Sequence, residues 1–291
     1  MRQSQTTPQR ARILGADVDL VTREQVMSFV ADAADGGRKA IVANHNLHSV
    51  HLLAKHPEMA VCYELADLIE IDSIPLIRWG RAMGLPVSPD HRCTYLDWRG
   101  DFWALAARRR WRVFYLGGTP GVASRAADLL MRRWPGVQIA TRHGYFDHAP
   151  GSAENDEVVA QINGFQPHVL MVGMGMPIQE AWVGRNFAQL ATGVVLPVGA
   201  AFDYEAGVQV AAPRVLGALG LEWLFRLALQ PRRLFRRYLV EPWSLAGPAL
   251  RDIDRYILGH SGPPPMSTRI VNTASTKPAH KKACAGPPFS A

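Results

Sequence analysis

The chain has 291 residues, 48% of them hydrophobic, which suffices for one large or two small globular domains and excludes a disordered or fibrous protein. Its formal charge of +7 calls for an anionic partner: nucleic acid, an anionic membrane surface or a phosphorylated substrate. Cys62, Cys93 and Cys284 lie far apart without CxxC or Cys/His spacing, which excludes a disulfide framework and a zinc site and reads as reduced thiols in a cytosolic protein.

Residues 1–11 are polar and expected to be unstructured, and they lack the apolar core of a secretory signal. ILGADVDLV is a strand-like run, and Thr22 with Gln25 forms a capping-box start for the helix TREQVMSFVADAA, which stops at Gly36 and Gly37. RKAIVANHN is a buried strand with a polar end; a helix around 47–65 follows, then the strand DLIEID ending on Asp72. WRVFYLGGTPG is a strand running into a glycine turn, with VASRAADLLMRRW as its helix. VQIATRHGYF, DEVVAQINGF, HVLMVGMG, EAWVGRNFAQL and GVVLPVGAAFDY continue the alternation of strand and helix. Such alternation predicts parallel βαβ units in a doubly wound, Rossmann-like α/β sheet over residues 12–213.

After residue 213 the pattern turns helical: RVLGALGLEWLFRLALQ, PRRLFRRYLVEPW and SLAGPALRDIDRYILG predict an arginine-rich appendage over 214–259. Residues 226–240 hold five arginines and no acid, and arginine favours bidentate phosphate contacts. Residues 260–291 are rich in Pro, Ser, Thr and Lys and read as a disordered tail. No stretch reaches the ~18 to 20 apolar residues of a spanning helix, so any membrane contact is expected to be peripheral.

Polar clusters recur at the predicted strand ends. Asn44 and Asn46 in VANHN can read a uracil edge or sugar hydroxyls, or cap the next helix. Asp72 can act as a general base or hold a ribose, and it equally suits the N-cap of PLIRWGRAMG. Gly117 and Gly118 in GGTPG suit a diphosphate at a helix N-terminus or an ordinary tight turn. VGMGMPIQEAW has the strand, glycine turn and helix order of a phosphate loop, yet it lacks the third glycine of a dinucleotide fingerprint and carries Gln179 and Glu180 in the opening turn. Asp203 and Tyr204 close the last strand, and histidine pairs such as His45 and His48 lack a third metal ligand.

The order of HVLMVGMGMPIQEAW, VGAAFDYEAG, APRVLGALGLEWLFRL and PRRLFRRY resembles the WecG/TagA/CpsF family of bacterial glycosyltransferases over about residues 12–245. The resemblance implies a Rossmann-like domain with a helical, membrane-associating C-terminal appendage. It also implies transfer of a sugar, often of the N-acetylmannosamine type, from a UDP-sugar donor to a polyprenyl-diphosphate-linked saccharide in surface-polymer synthesis. The resemblance further implies inversion of the anomeric centre with no metal or other cofactor. Asp72 corresponds to the family's general base, and Asn44, Asn46, Gln179, Glu180, Asp203 and Tyr204 to the surroundings of the nucleotide sugar, with Asn44 in place of a threonine. The appendage arginines fall on Arg226, Arg233, Arg236 and Arg237, which would hold a diphosphate or meet the membrane. Three departures stand out: Ser73 replaces the glycine after the base, Ala211 replaces an arginine, and CTYLDW lacks the usual glycine.

With that resemblance, the implied place of work is the inner face of the cytoplasmic membrane, with Leu224, Phe225, Leu227, Leu234, Phe235 and Leu239 at the bilayer interface. A homo-oligomer that buries the appendage is compatible with it. The competing classes are a non-catalytic UDP-sugar-binding scaffold, a nicotinamide oxidoreductase, disfavoured by Pro177 and the missing glycine, and a nucleic-acid binder, disfavoured because the arginines alternate with Leu and Phe.

Overall fold

A computed structural model describes residues 8–258 and 267–268. A hairpin comes first: β1 (Gln9–Ile13) pairs antiparallel with β2 (Ala16–Leu20). The turn between them is Leu14 at φ 52° and Gly15 at φ 83°, the two positive angles that suit a tight two-residue hairpin. β1 thus begins inside the segment expected to be unstructured. Alternation supports it: Ala11 and Ile13 are buried, and Arg10 pairs with the buried Asp19 across the hairpin at 2.7 Å. Of the tail, only Ser267–Thr268 are described, as a short strand beside β1; the rest of the predicted disordered segment, Cys284 included, lies outside the described residues.

α1 (Arg23–Asp35) starts from the expected capping box: Thr22 Oγ1 accepts from the Gln25 amide at 3.3 Å, and Gln25 Oε1 accepts from the Thr22 amide at 2.8 Å. The chain then alternates through β3 (Ala40–His45), α2 (Leu47–Leu53), α3 (Ala60–Leu65), β4 (Leu68–Ile71), α4 (Ile74–Ala82), α5 (Tyr95–Arg109), β5 (Arg112–Gly117) and α6 (Val122–Arg133). β6 (Gln138–Arg142), α7 (Ala153–Phe165), β7 (Val169–Gly173), α8 (Ile178–Asn186), β8 (Val194–Pro197) and α9 (Ala201–Glu205) complete the α/β part. The helix expected around 47–65 is split before Pro57, whose ring cannot continue it. The last expected strand stops at Pro197, and its AFDY end is helical, so Asp203 and Tyr204 sit on a helix rather than a strand end.

β3 to β8 form a six-stranded parallel sheet in the order β4-β3-β8-β7-β5-β6, the doubly wound arrangement expected. Its strands are apolar on both faces because both faces are covered. Val42, Leu68, Tyr115 and Met171 join one buried layer with α1, α5 and α6, while Ile41, Ile69, Leu116 and Leu170 join the other with α3, α7 and α8. All six strands run the same way, so their carboxyl ends share one edge, where ligands of such sheets bind.

Past residue 213 come α10 (Arg214–Leu219), α11 (Glu222–Leu229), α12 (Pro231–Phe235), two irregular helical turns over 236–245, and α13 (Ala246–Ile257). The single helix expected from residue 214 breaks at Gly220, which takes φ 73°. α13 returns to the hairpin: Asp252 Oδ2 accepts from the Leu14 amide at 2.9 Å and from Trp79 Nε1 at 3.0 Å, and Leu245 packs with Ile13, Leu76 and Ile77. Among the described residues, no helix is long and apolar enough to cross a membrane.

Candidate active site

The sheet's carboxyl edge brings together residues far apart in the chain. In the β3–β4 register Asn44 lies beside Glu70, so Asn46 and Asp72 follow on the same side one repeat later. Asn46 fills both roles open to it. Its Oδ1 accepts from the Ser49 amide at 3.0 Å as the cap of α2, and its Nδ2 donates to Asp72 Oδ2 at 3.4 Å. Asn44 Nδ2 donates to the Pro197 carbonyl at 2.8 Å, tying the end of β3 to that of β8.

Asp72 does not cap α4. That position belongs to Ser73, whose hydroxyl makes no capping bond and is buried without a partner. The Asp72 carboxyl is thereby free to face the edge. Burial pushes its pKa up to about 6; Arg226 opposes the rise, Glu222 adds to it, and the Asn46 hydrogen bond and Arg92 pull it down.

β5 and β7 meet at their ends with unusual closeness. A side chain on Gly117, at φ 154°, would fall 2.3 Å from the Gly173 carbonyl oxygen, and one on Gly173 would fall 2.1 Å from the Tyr115 hydroxyl. Glycine at both positions lets Tyr115 Oη donate to the Gly199 carbonyl at 3.2 Å, linking β5 to the loop after β8. The Gly118 amide donates to Gly173 O at 3.3 Å, and the start of α6 falls to Gly121.

Gln179 and Glu180 are each only 1% exposed, beneath the edge rather than on it. Gln179 Oε1 accepts from the amides of Gly175 at 3.1 Å and Gly199 at 3.2 Å, bracing two adjacent loops, while its Nε2 donates to Glu180 Oε1 at 2.8 Å. Glu180 Oε2 has no partner, and burial lifts the carboxyl to about 7. Asp203 lies near Gly118, where an added side chain would come within 3.8 Å of its Oδ1, so the Gly117–Gly118 turn and the Asp203–Tyr204 pair adjoin.

The appendage folds over this edge, and the four arginines singled out from its sequence divide. Arg226 Nη2 donates to the Tyr204 hydroxyl at 2.6 Å and pairs with Glu222 Oε1 at 2.7 Å. Arg237 is half-buried, and its charge, like that of Arg226, is felt at Asp72. Arg233 is exposed and acts on Asp203, whereas Arg236 faces His51 on α2 instead. Leu234, expected at the bilayer, is 5% exposed and belongs to the interior, because its short helix lays that side against the protein.

Two residues of this edge escaped sequence reasoning. Arg92 bonds Asp97 through Nε at 3.2 Å and the Gly217 carbonyl through Nη1 at 3.0 Å, and a bridge between Ile71 and Arg92 sets it beside β4. Glu222 lies 3.8 Å from Arg92 Nη2. Arg92 stands in no local pattern, and the only signal for Glu222 was its place in the LEWLFRL run. The assembled edge thus presents a carboxyl with a raised pKa, neutral amides and several guanidiniums, a set suited to taking a proton beside an anionic leaving group.

A family model described as Glycosyl transferase WecG/TagA/CpsF family matches residues 11–256. Similar curated proteins include the N-acetylglucosaminyldiphosphoundecaprenol N-acetyl-beta-D-mannosaminyltransferases of Staphylococcus aureus strains NCTC 8325, COL and MSSA476. Each is 28% identical over 228 residues, which covers 77% of this chain and 86% of the relative.

Proposed function

Because this chain belongs to the WecG/TagA/CpsF family of glycosyl transferases, we propose that it moves a sugar of the N-acetylhexosamine type from a UDP-sugar to a polyprenyl-diphosphate-linked saccharide. The relatives' names supply the acceptor class, a diphosphoundecaprenol-linked sugar. The observation that carries the reading is Asp72: a carboxyl with a pKa of about 6, bonded by Asn46 and faced by Arg226 and Arg92 at the carboxyl edge of the sheet.

In this mechanism an Asp72 oxygen removes the proton from an acceptor hydroxyl. The acceptor oxygen so deprotonated bonds to the anomeric carbon as the bond to UDP breaks on the opposite face, inverting the centre, while Asp72 keeps the proton. Arg226, Arg237 and Arg92 offset the charge that grows on the leaving diphosphate, and Arg233 lies on the Asp203 side of the donor. Gln179 and Glu180 serve from below by fixing the loops that carry Gly175 and Gly199. A lipid-linked acceptor supports work at a membrane surface. Exposed apolar residues of the appendage, among them Leu224, Phe235, Leu239 and Trp243, support peripheral docking there, with arginines attracted to anionic lipid by ~1 kcal/mol each.

The test is UDP release with a panel of UDP-sugars and a soluble polyprenyl-diphosphate sugar, comparing wild type with Asp72→Asn. Acceptor-dependent release is expected to fall ~10² to 10⁴-fold in the variant, the usual worth of a general base. Wild-type release should rise with pH through about 6, as Asp72 ionises. Equal release by the two proteins removes Asp72 from its role, and UDP binding without release by either leaves a non-catalytic scaffold.

A further inference from the structure

Glu222 opens α11 and bridges two guanidiniums: its Oε1 lies 2.7 Å from Arg226 Nη2 and its Oε2 3.8 Å from Arg92 Nη2. The first contact is an ordinary pair four residues apart on one helix. The second is not local. Arg92 reaches it from the loop after α4, held in place by Asp97 and by the Gly217 carbonyl of α10. One carboxylate therefore ties a cation of the appendage to a cation of the α/β part, near enough for its charge to act on the base.

That position is costly for a transferase. Glu222 pushes the Asp72 carboxyl toward its neutral form, against Arg226 and Arg92. It also claims the cations that a diphosphate leaving group needs. The cluster nonetheless holds spare donor capacity, since the Nε atoms of Arg226 and Arg237 are buried without partners. Guanidiniums with more donors than the protein has acceptors await an anion with several oxygens.

We propose that Glu222 is an internal stand-in for the substrate's diphosphate: it occupies Arg92 and Arg226 in the free protein and yields them when the diphosphate arrives. The inference rests on the donor reading above and adds what the cations hold beforehand. A resident carboxylate keeps the two guanidiniums at a workable spacing without a ligand, and it screens them from anions that cannot outcompete it. Its displacement also changes the charges around Asp72. Those are Arg226 and Glu222 from α11, Arg237 from the turn after α12, Arg92 from the loop after α4, Tyr204 from α9 and Glu70 from β4.

Calorimetric titration of the full chain with UDP and with inorganic pyrophosphate tests this on wild type, Glu222→Gln and Glu222→Ala. The alanine variant reports the same change should the glutamine variant misfold. Both variants are expected to bind more tightly, on the order of tenfold, and the acid limb of transfer should move to lower pH, because Glu222 raises the Asp72 carboxyl. Unchanged or weaker binding of both anions would overturn the stand-in and leave Glu222 a shaping residue of α11. Wild type that binds pyrophosphate but not UDP would overturn the donor reading alone, and Glu222 would still be judged on pyrophosphate.

Discussion

The sheet and the appendage are built on opposite terms. In the α/β part large apolar side chains are enclosed: Phe102 has no exposed surface and its ring meets those of Trp98, Trp103 and Trp111 at 5.6, 5.0 and 5.9 Å. After residue 213 the balance reverses. Of the nineteen exposed large hydrophobic residues among the described ones, twelve lie there, so the appendage displays apolar surface that the rest of the chain does not cover. The sheet is complete within itself, while the appendage is shaped for something outside it. The site lies on the seam, with its base just past the end of β4 and its cations mostly from the appendage.

The contrast breaks most visibly in the core. Phe102→Ala removes a ring from a cluster of three tryptophans that cannot collapse around the gap, and it should cost about 3 to 5 kcal/mol in urea unfolding. A loss below about 1 kcal/mol would mean that the aromatic layer is not the rigid base on which the edge is built.

A second, smaller effect concerns the buried brace. Glu180 has a folded-state pKa of about 7, above its ordinary value of 4.5, because burial disfavours its charge. A raised carboxyl contributes stability that is fully present below about 4.5 and is lost as pH rises through about 7. A rise of this size corresponds to about 3 kcal/mol. Asp72 adds a slope of the same sign between 3.8 and about 6. Glu180→Gln keeps an acceptor for Gln179 and removes the titrating charge. Urea midpoints across pH 4 to 8 should therefore fall in wild type and fall less in the variant, which becomes the more stable protein at the alkaline end. Parallel curves would show that Glu180 finds a partner for its charge.

Much of this architecture was legible in the sequence where a short-range rule governs it. Continuous apolar runs marked β3, β5, β7 and β8, and the Thr22–Gln25 spacing marked the start of α1, because strand burial and helix capping are settled within a few residues. Asp72 was legible as a polar residue closing an apolar strand, although whether it capped α4 was not, since that depends on where Ser73 places the first turn. Ends of elements misled where the backbone overrode pattern: Gly220 stops α10, and the AFDY segment leaves the sheet after Pro197 to form α9. The pairing of Arg92 with the appendage was invisible because its partner carbonyl is 125 residues away. Gln179 reads as a ligand contact in sequence, yet the amides of Gly175 and Gly199, brought together only by the sheet, take its oxygen.

The smallest effect on stability falls in the appendage, where the comparison is sharpest. Phe235, Leu239 and Trp243 are 55, 41 and 79% exposed, so replacing all three by serine forfeits little internal packing. Surface changes of this kind usually stay within about 0.5 kcal/mol each. If the appendage docks on a bilayer, the same side chains meet hydrocarbon there, and each would contribute about 1.5 to 3 kcal/mol when fully buried. The triple variant should therefore unfold close to the wild-type midpoint but lose at least tenfold in sedimentation with anionic liposomes. Added salt should weaken what remains, because it screens the arginines. Equal liposome binding by both proteins would mean that these residues face no membrane. A large fall in midpoint would mean instead that the chain itself covers them, and the appendage would then belong to the core it has been set against.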